Sequence, residues 1–140
     1  MSIQKVNHNV WKPFDGTGGA LTVSGGATPT KTSEWWDVNG WTDKVVSFEV
    51  DSGGTIDTDV IVHMSPYGYY ELNQLGSAVT TDHYTAVTIV EANTVATMVR
   101  KDSSDVDDLQ RPCRSMRVVI DNDQAGEAVT GFTVFVEGWS

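Results

Sequence analysis

The feature that most constrains this chain is a period-two alternation of apolar and polar residues, repeated in short stretches and interrupted each time by turn-forming residues. In Lys44–Val50, Val46, Phe48 and Val50 fall on one face while Val45, Ser47 and Glu49 fall on the other. Asp59–Met64 brings Val60, Val62 and Met64 together. Met116, Val118 and Ile120 alternate with Arg117 and Val119, and Phe132, Val134 and Val136 alternate with Thr133, Phe135 and Glu137. Successive side chains of an extended strand point to opposite faces, so the pattern predicts strands with one face on a core.

The segments between agree. Residues 84–91 and 94–101 are dense in Val, Thr and Ile, whose Cβ branching suits a pleated surface, and Glu91-Ala92-Asn93 is expected to bend the chain between them. A single helix across 84–101 is the rival reading. Tyr69–Leu72 is read as the start of another strand, Asp51–Gly54 and Ser65–Gly68 as turns, and Asp121–Val136 as a hairpin. All four prolines (Pro13, Pro29, Pro66, Pro112) are expected between strands, where a missing N–H harms no ladder. Seven to nine short strands predict an all-β chain, an antiparallel β-sandwich or jelly roll.

The first 33 residues read differently. They hold five of the 13 glycines, two prolines and four charged residues. Such a stretch buries little and loses much entropy on ordering, so an extended N-terminal arm or long loop over 1–33 is expected, with the sandwich over 34–140. A short strand at Ala20–Ser24 fits within it. Trp11 and Phe14 then need cover, either from this chain's own core or from a neighbouring subunit. An arm that docks on a neighbour predicts that removing residues 1–15 leaves the domain folded.

Composition excludes several classes. The 140 residues carry 9 Lys and Arg against 19 Asp and Glu, a formal charge of -10, unsuited to gripping a phosphate backbone, so no nucleic-acid partner is expected. One cysteine, Cys113, provides no disulfide framework and suggests synthesis in a reducing cytosol. No secretory signal is read at the start, and the longest apolar runs are three residues, so no membrane partner is expected either.

Chemistry-bearing constellations are sparse. Trp35, Trp36 and Trp41 lie within seven positions. As neighbours in a strand, Trp35 and Trp36 point oppositely, one to anchor the core and the other to meet solvent or a partner; a sugar-stacking platform is the alternative. Asp102–Asp108 packs four carboxylates into seven residues without the Gly and terminal Glu of a calcium loop; a solvated loop is the preferred reading and calcium stays open. Arg100 and Lys101 precede it, and Arg111, Arg114 and Arg117 follow, so five of nine cations flank it. They are placed either to pin the loop or to meet charges on another subunit. His8, His63 and His83 form no metal-ligand spacing, no Gly-x-Ser-x-Gly occurs, and a catalytic role for Cys113 would need a thiol pKa lowered by its cationic neighbours. No catalytic residue, metal or cofactor is assigned, and no enzyme activity is expected.

The order Trp35-Trp36-Asp37-Val38-Asn39-Gly40-Trp41, the strands at 44–50 and 59–64, Arg114–Ile120 and the closing Gly131–Trp139 resemble small jelly-roll virion proteins of tailed bacteriophages, the head decoration or cement proteins. The pattern is also similar to carbohydrate-binding jelly rolls. The phage resemblance implies a structural protein, made in the host cytoplasm and carried on the capsid surface, that binds major capsid protein and its own copies as a homotrimer. On that reading Trp11, Phe14, Trp35, Trp36, Trp41, Arg100, Arg111 and Arg114 are the candidate partner-interface residues. The alternative is a sugar-binding module of a tail fibre or host-recognition apparatus.

Overall fold

The computed structural model describes residues 7–16, 22–24, 30–49, 58–93, 98–122 and 128–140. The strands are β1 (His8–Asp15), β2 (Thr22–Ser24), β3 (Thr30–Thr32), β4 (Trp36–Asp37), β5 (Thr42–Glu49), β6 (Thr58–Ser65), β7 (Thr85–Asn93), β8 (Val99–Lys101), β9 (Ser115–Asn122), β10 (Ala128–Thr130) and β11 (Thr133–Trp139), with one short helix, α1 (Tyr69–Leu75). One sheet runs β1-β11-β5-β8 and the other β3-β9-β6-β7, with β4 also on β9; β2 and β10 form a small separate ladder.

Pairing proceeds from the chain ends inward. The first strand pairs with the last, β3 and β4 with β9, β5 with β8, and β6 with β7, all antiparallel. Such a chain is a long two-stranded ribbon wrapped so that alternate pairs fall into alternate sheets, which is the jelly roll. The expected all-β sandwich holds. Its strand count exceeds the seven to nine expected because β2, β3, β4, β8 and β10 are segments of two or three residues.

The alternating positions fill the space between the sheets. Val46 and Phe48 of β5, Val60, Val62 and Met64 of β6, Met116, Val118 and Ile120 of β9, and Phe132, Val134 and Val136 are all core. Each such side chain taken from water contributes roughly 1.5–3 kcal/mol before entropy is counted. β5 is buried beyond its core-facing side as well: Lys44, Val45 and Ser47 are covered. The 3₁₀ turn Asp107–Gln110 packs against this strand, and Lys44 Nζ donates to the Arg111 carbonyl at 2.7 Å.

Several expectations give way. Residues 8–15 are no arm: β1 pairs with β11 from His8↔Trp139 to Asp15↔Thr133, so the division at 33/34 does not separate arm from sandwich there. Trp11 and Phe14 belong to this chain's own core, each 7% exposed, with Phe14 edge-on to Phe132 at 5.6 Å. Pro13 lies inside β1, not between strands, at the irregularity between Trp11 and Phe14 where the ladder shifts. Tyr69–Leu72 opens a helix, because Glu71, Leu72, Gln74 and Leu75 are good helix formers and Leu72 is the buried anchor. Asp121–Val136 is no hairpin: β9 and β11 lie in different sheets, and β10 between them pairs with β2. The expected bend at Glu91-Ala92-Asn93 coincides with a register irregularity of β7 against β6 between Val90 and Asn93, and the chain passes from there to β8 in the other sheet through residues 94–97, which lie outside the described residues. The expected turn at 51–54 falls outside the described residues, as do Pro29 and residues 123–127.

Candidate functional site

Three connections gather at one end of the sandwich: residues 38–41, 66–84 and 102–114. Backbone bonds tie them together, with Val38 N–H donating to the Arg114 carbonyl at 3.0 Å and Arg114 N–H to the Ser65 carbonyl at 2.9 Å. Ser115 Oγ–H donates to the Tyr67 carbonyl at 2.7 Å and Ser65 Oγ–H to the His83 carbonyl at 2.6 Å. Gly40, at φ 83°, closes the turn in which Trp41 N–H reaches the Val38 carbonyl at 3.0 Å, a backbone conformation that glycine reaches without steric cost. Trp41 then packs so tightly on β11 that a Cβ at Gly138 would sit 2.5 Å from Trp41 Cε3.

β4 places the tryptophan pair. It is held by Trp36↔Met116 and Asp37↔Ser115, so Trp35 and Trp36 face opposite ways. Trp35, 3% exposed, packs with His63, Tyr84 and Arg117 rather than in the main core. The Arg117 guanidinium lies 4.7 Å from the Trp35 ring centre and 5.2 Å from that of Tyr84; its Nε–H donates to His63 Nδ1 at 3.0 Å. His63 and Tyr84 stack at 3.9 Å. Asn73 of α1 clamps the Trp35 backbone, accepting from its N–H at 3.1 Å and donating to its carbonyl at 3.2 Å. Burial first, and the Arg117 charge second, lower the His63 pKa to about 4.

Trp36 faces the other way and is 47% exposed. It lies nearly parallel to Trp11, ring centres 5.8 Å apart, so one indole supports the other. Adjoining hollows meet at Trp36. One of about 270 Å³ is lined by Trp11, Lys12, Pro13, Ser33, Glu34 and Trp36. Another, of about 140 Å³, lies between Trp36, Asp37 and Tyr69. Asp37 and Tyr69 lead on to a hollow of about 160 Å³ with Asn39, Gly68, Tyr70, Glu71 and Arg114. Gly68 keeps the floor low, since a Cβ there would approach Arg114 Nη2 to 3.3 Å and Glu71 Cδ to 3.9 Å. Asp37 Oδ1 accepts from Asn39 N–H at 3.0 Å, which fixes the carboxylate over the turn.

The eight candidate interface residues therefore separate. Trp11, Phe14, Trp35 and Trp41 are buried within this chain, which leaves them little surface to offer a partner. Trp36 and Arg114 share the groove just described. Arg100 and Arg111 lie apart from them, paired with the acidic loop: Arg100 Nη1 to Asp102 at 3.6 Å and Arg111 Nε to Asp108 at 2.9 Å. Tyr69, Tyr70 and Glu71 escape sequence reasoning because residues 69–72 read as a strand, the helix-forming composition of 71–75 being the available signal; Asn39, in the turn before Gly40, carries no local signal of its place in the groove.

The remaining reactive groups are accounted for locally. Cys113 is half-buried and desolvation raises its thiol pKa, opposite to the direction an activated thiolate needs, so its cationic neighbours do not prevail. Burial lowers the pKa of Lys44. Hydrogen bonds from Ser104 hold the Asp102 pKa low, and Ser104 N–H reaches Asp102 Oδ1 at 2.9 Å, a turn that satisfies its own carboxylate. His8 Nε2 lies 2.8 Å from Glu137. Among the described residues no group of three or more His, Cys, Asp or Glu is placed to hold a metal ion, and no helix is long and apolar enough to cross a membrane.

No protein-family model matches the sequence, and no curated protein matches it. Solved structures do. A chain in the structure of infectious bursal disease virus, Gx strain, superposes on 97% of this chain at 10% identity with a TM-score of 0.54. One in the T13 viral particle of the same virus superposes on 96% at 10% identity with a TM-score of 0.52. This chain spans about a third of their length, 32% and 31%. The C-terminal CBM6 of LamC from Zobellia galactanivorans reaches a TM-score of 0.49 at 6% identity, over 91% of this chain and 98% of that module. Identities this low establish a shared fold in the two virus cases and say nothing of ligands or partners.

Proposed function

We propose that this chain is a non-enzymatic structural protein of a virus particle, a tailed-phage decoration protein that binds across neighbouring major capsid protein subunits on the shell surface as a homotrimer. The observation that carries the reading is the ends-inward pairing of a complete jelly roll, matched along nearly the whole chain by domains within virus-particle chains. A two-sheet sandwich suits a clamp, because contacts made only in the assembled state stabilise that state by mass action.

The surface assigned to the shell is the edge where β7 and β8 end their sheets, with the loop at 102–111 beside it. β7 runs nine residues, and among the described residues its hydrogen-bonded neighbour is β6, on one side. Arg100 and Arg111 stand out from the acidic loop with their side chains 56% and 71% exposed. Alternating charge of this kind contributes little to the stability of the isolated chain, yet it selects partners and sets encounter rates.

The test mixes the purified chain with shells assembled from the major capsid protein of the same genome and measures co-sedimentation. Saturable binding is expected, weakened by salt and by the double substitution Arg100→Glu, Arg111→Glu, with a trimer in sedimentation velocity. Absence of co-sedimentation at low salt would sink the shell role. The sugar-binding alternative draws on the groove around Trp36, at the β1 and β4 edge, opposite the surface assigned to the shell.

A further inference from the structure

We infer that the groove centred on Trp36 binds a chain of neutral sugars. The inference goes beyond a shell role and does not depend on it. A pyranose presents one face of C–H groups and a rim of hydroxyls. Its binding site needs an exposed aromatic face and, around that face, planar polar groups that donate and accept in the plane of the ring. Trp36 supplies the face: it is the one tryptophan of the five left largely exposed, and Tyr69 and Tyr70 extend the aromatic surface at 44% and 67% exposure. The rim is supplied by Asp37, Asn39, Glu71 and Arg114, one amide, two carboxylates and one guanidinium within a single hollow.

The shape points to a chain rather than one sugar. Hollows adjoin along a line from Lys12 and Glu34, past Trp36, to Tyr70 and Arg114, sharing Trp36, Asp37 and Tyr69 as common walls. The charge points to neutral sugars. Glu34, Asp37 and Glu71 outnumber Lys12 and Arg114 along that line, and the whole chain carries -10, so a polyanionic glycan is repelled. An apolar protein surface laid on the same groove would strand these polar groups without partners, a cost that hydroxyl-rich sugars avoid.

The platform is also fixed before binding. Trp11 backs Trp36 at an interplanar angle of 6°, β4 is laddered to β9, and Asn73 clamps the preceding residue from α1. A preformed site loses little conformational entropy when it is filled.

The test titrates the full chain with soluble hexasaccharides (β-1,3-, β-1,4- and α-1,4-glucan, xylan and chitin series), read by tryptophan fluorescence and by calorimetry. At least one series is expected to saturate, with calorimetry showing a longer oligomer bound more tightly than a disaccharide. Trp36→Ala should weaken binding about tenfold or more. Asn39→Ala should weaken it too, without disturbing the indole stack. Met98→Ala, on an exposed residue outside the groove, should leave it unchanged. No saturation in any series to millimolar concentration overturns the inference, as does wild-type affinity in both Trp36→Ala and Asn39→Ala. Co-sedimentation with shells reads the structural role separately, so each idea fails on its own measurement.

Discussion

At the scale of single residues, two ionisable groups, half-buried His63 and fully buried Lys44, carry consequences that proton linkage makes measurable. His63 accepts from Arg117 Nε–H through Nδ1, which requires the neutral ring, and burial beside a guanidinium lowers its pKa from 6.5 to about 4. Between those values the unfolded chain binds more protons than the folded one, so stability falls as pH drops through this window. After allowance for its partial exposure the loss is about 2 kcal/mol. Urea titrations at pH 7 and pH 4.5 should show a lower midpoint in acid, and His63→Gln should flatten that component.

Lys44 makes the complementary case. It has no exposed surface, its Nζ donates to a backbone carbonyl, and burial lowers its pKa from 10.5. The unfolded chain holds this proton to higher pH than the folded one does, so the penalty is present at neutral pH and fades as pH rises toward 10.5. Lys44→Met removes the charge and retains the stem that packs beneath the 102–114 connection. It is expected to raise stability by about 1 kcal/mol, less than a free buried charge would give because the Arg111 carbonyl loses its donor. Thermal melts at pH 7 check the sign.

At the scale of elements, the decisive one is β1. An arm predicts that a chain lacking residues 1–15 still folds, whereas the sheet order predicts otherwise. Removal of β1 strips β11 of a neighbour, opens the core at Phe132, and withdraws Trp11 and Phe14, each of whose loss alone costs about 3–5 kcal/mol. With a total stability of about 5–15 kcal/mol for a domain of ordinary size, the truncated chain should show little native far-UV circular dichroism. A cooperative melt near that of the full chain would restore the arm. The helix α1 has a smaller, more local part: it seats Leu72 and delivers Asn73 to the Trp35 backbone and Tyr69 and Tyr70 to the groove.

At the scale of the whole molecule, jelly-roll wrapping places β1 and β4 at one edge of the sheets and β7 and β8 at the other. Trp36 and Arg100, both candidates for a single interface from the sequence, are thereby separated into a groove and a charged edge. The strands at 44–49, 59–64, 116–120 and 133–136 were legible because side-chain alternation is a local property of an extended backbone. The burial of Trp35 and exposure of Trp36 were legible for the same reason, but the side of the sheet was not: Trp35 is covered by His63, Tyr84 and Arg117 and lies outside the main core. The groove was not, since Asn39, Tyr70 and Arg114 belong to connections far apart in sequence.

Chain chemistry by itself thus determined an all-β body and the faces its strands bury, because Val, Ile and Thr at every second position encode which side of a strand shuns water. Only tertiary structure decided that β1 closes the sheet instead of hanging free, that β9 and β11 part company, and that one indole of five stays largely exposed. Partner choice depends on closing long loops and on the total apolar area buried. Neither quantity is written in any window of a few residues.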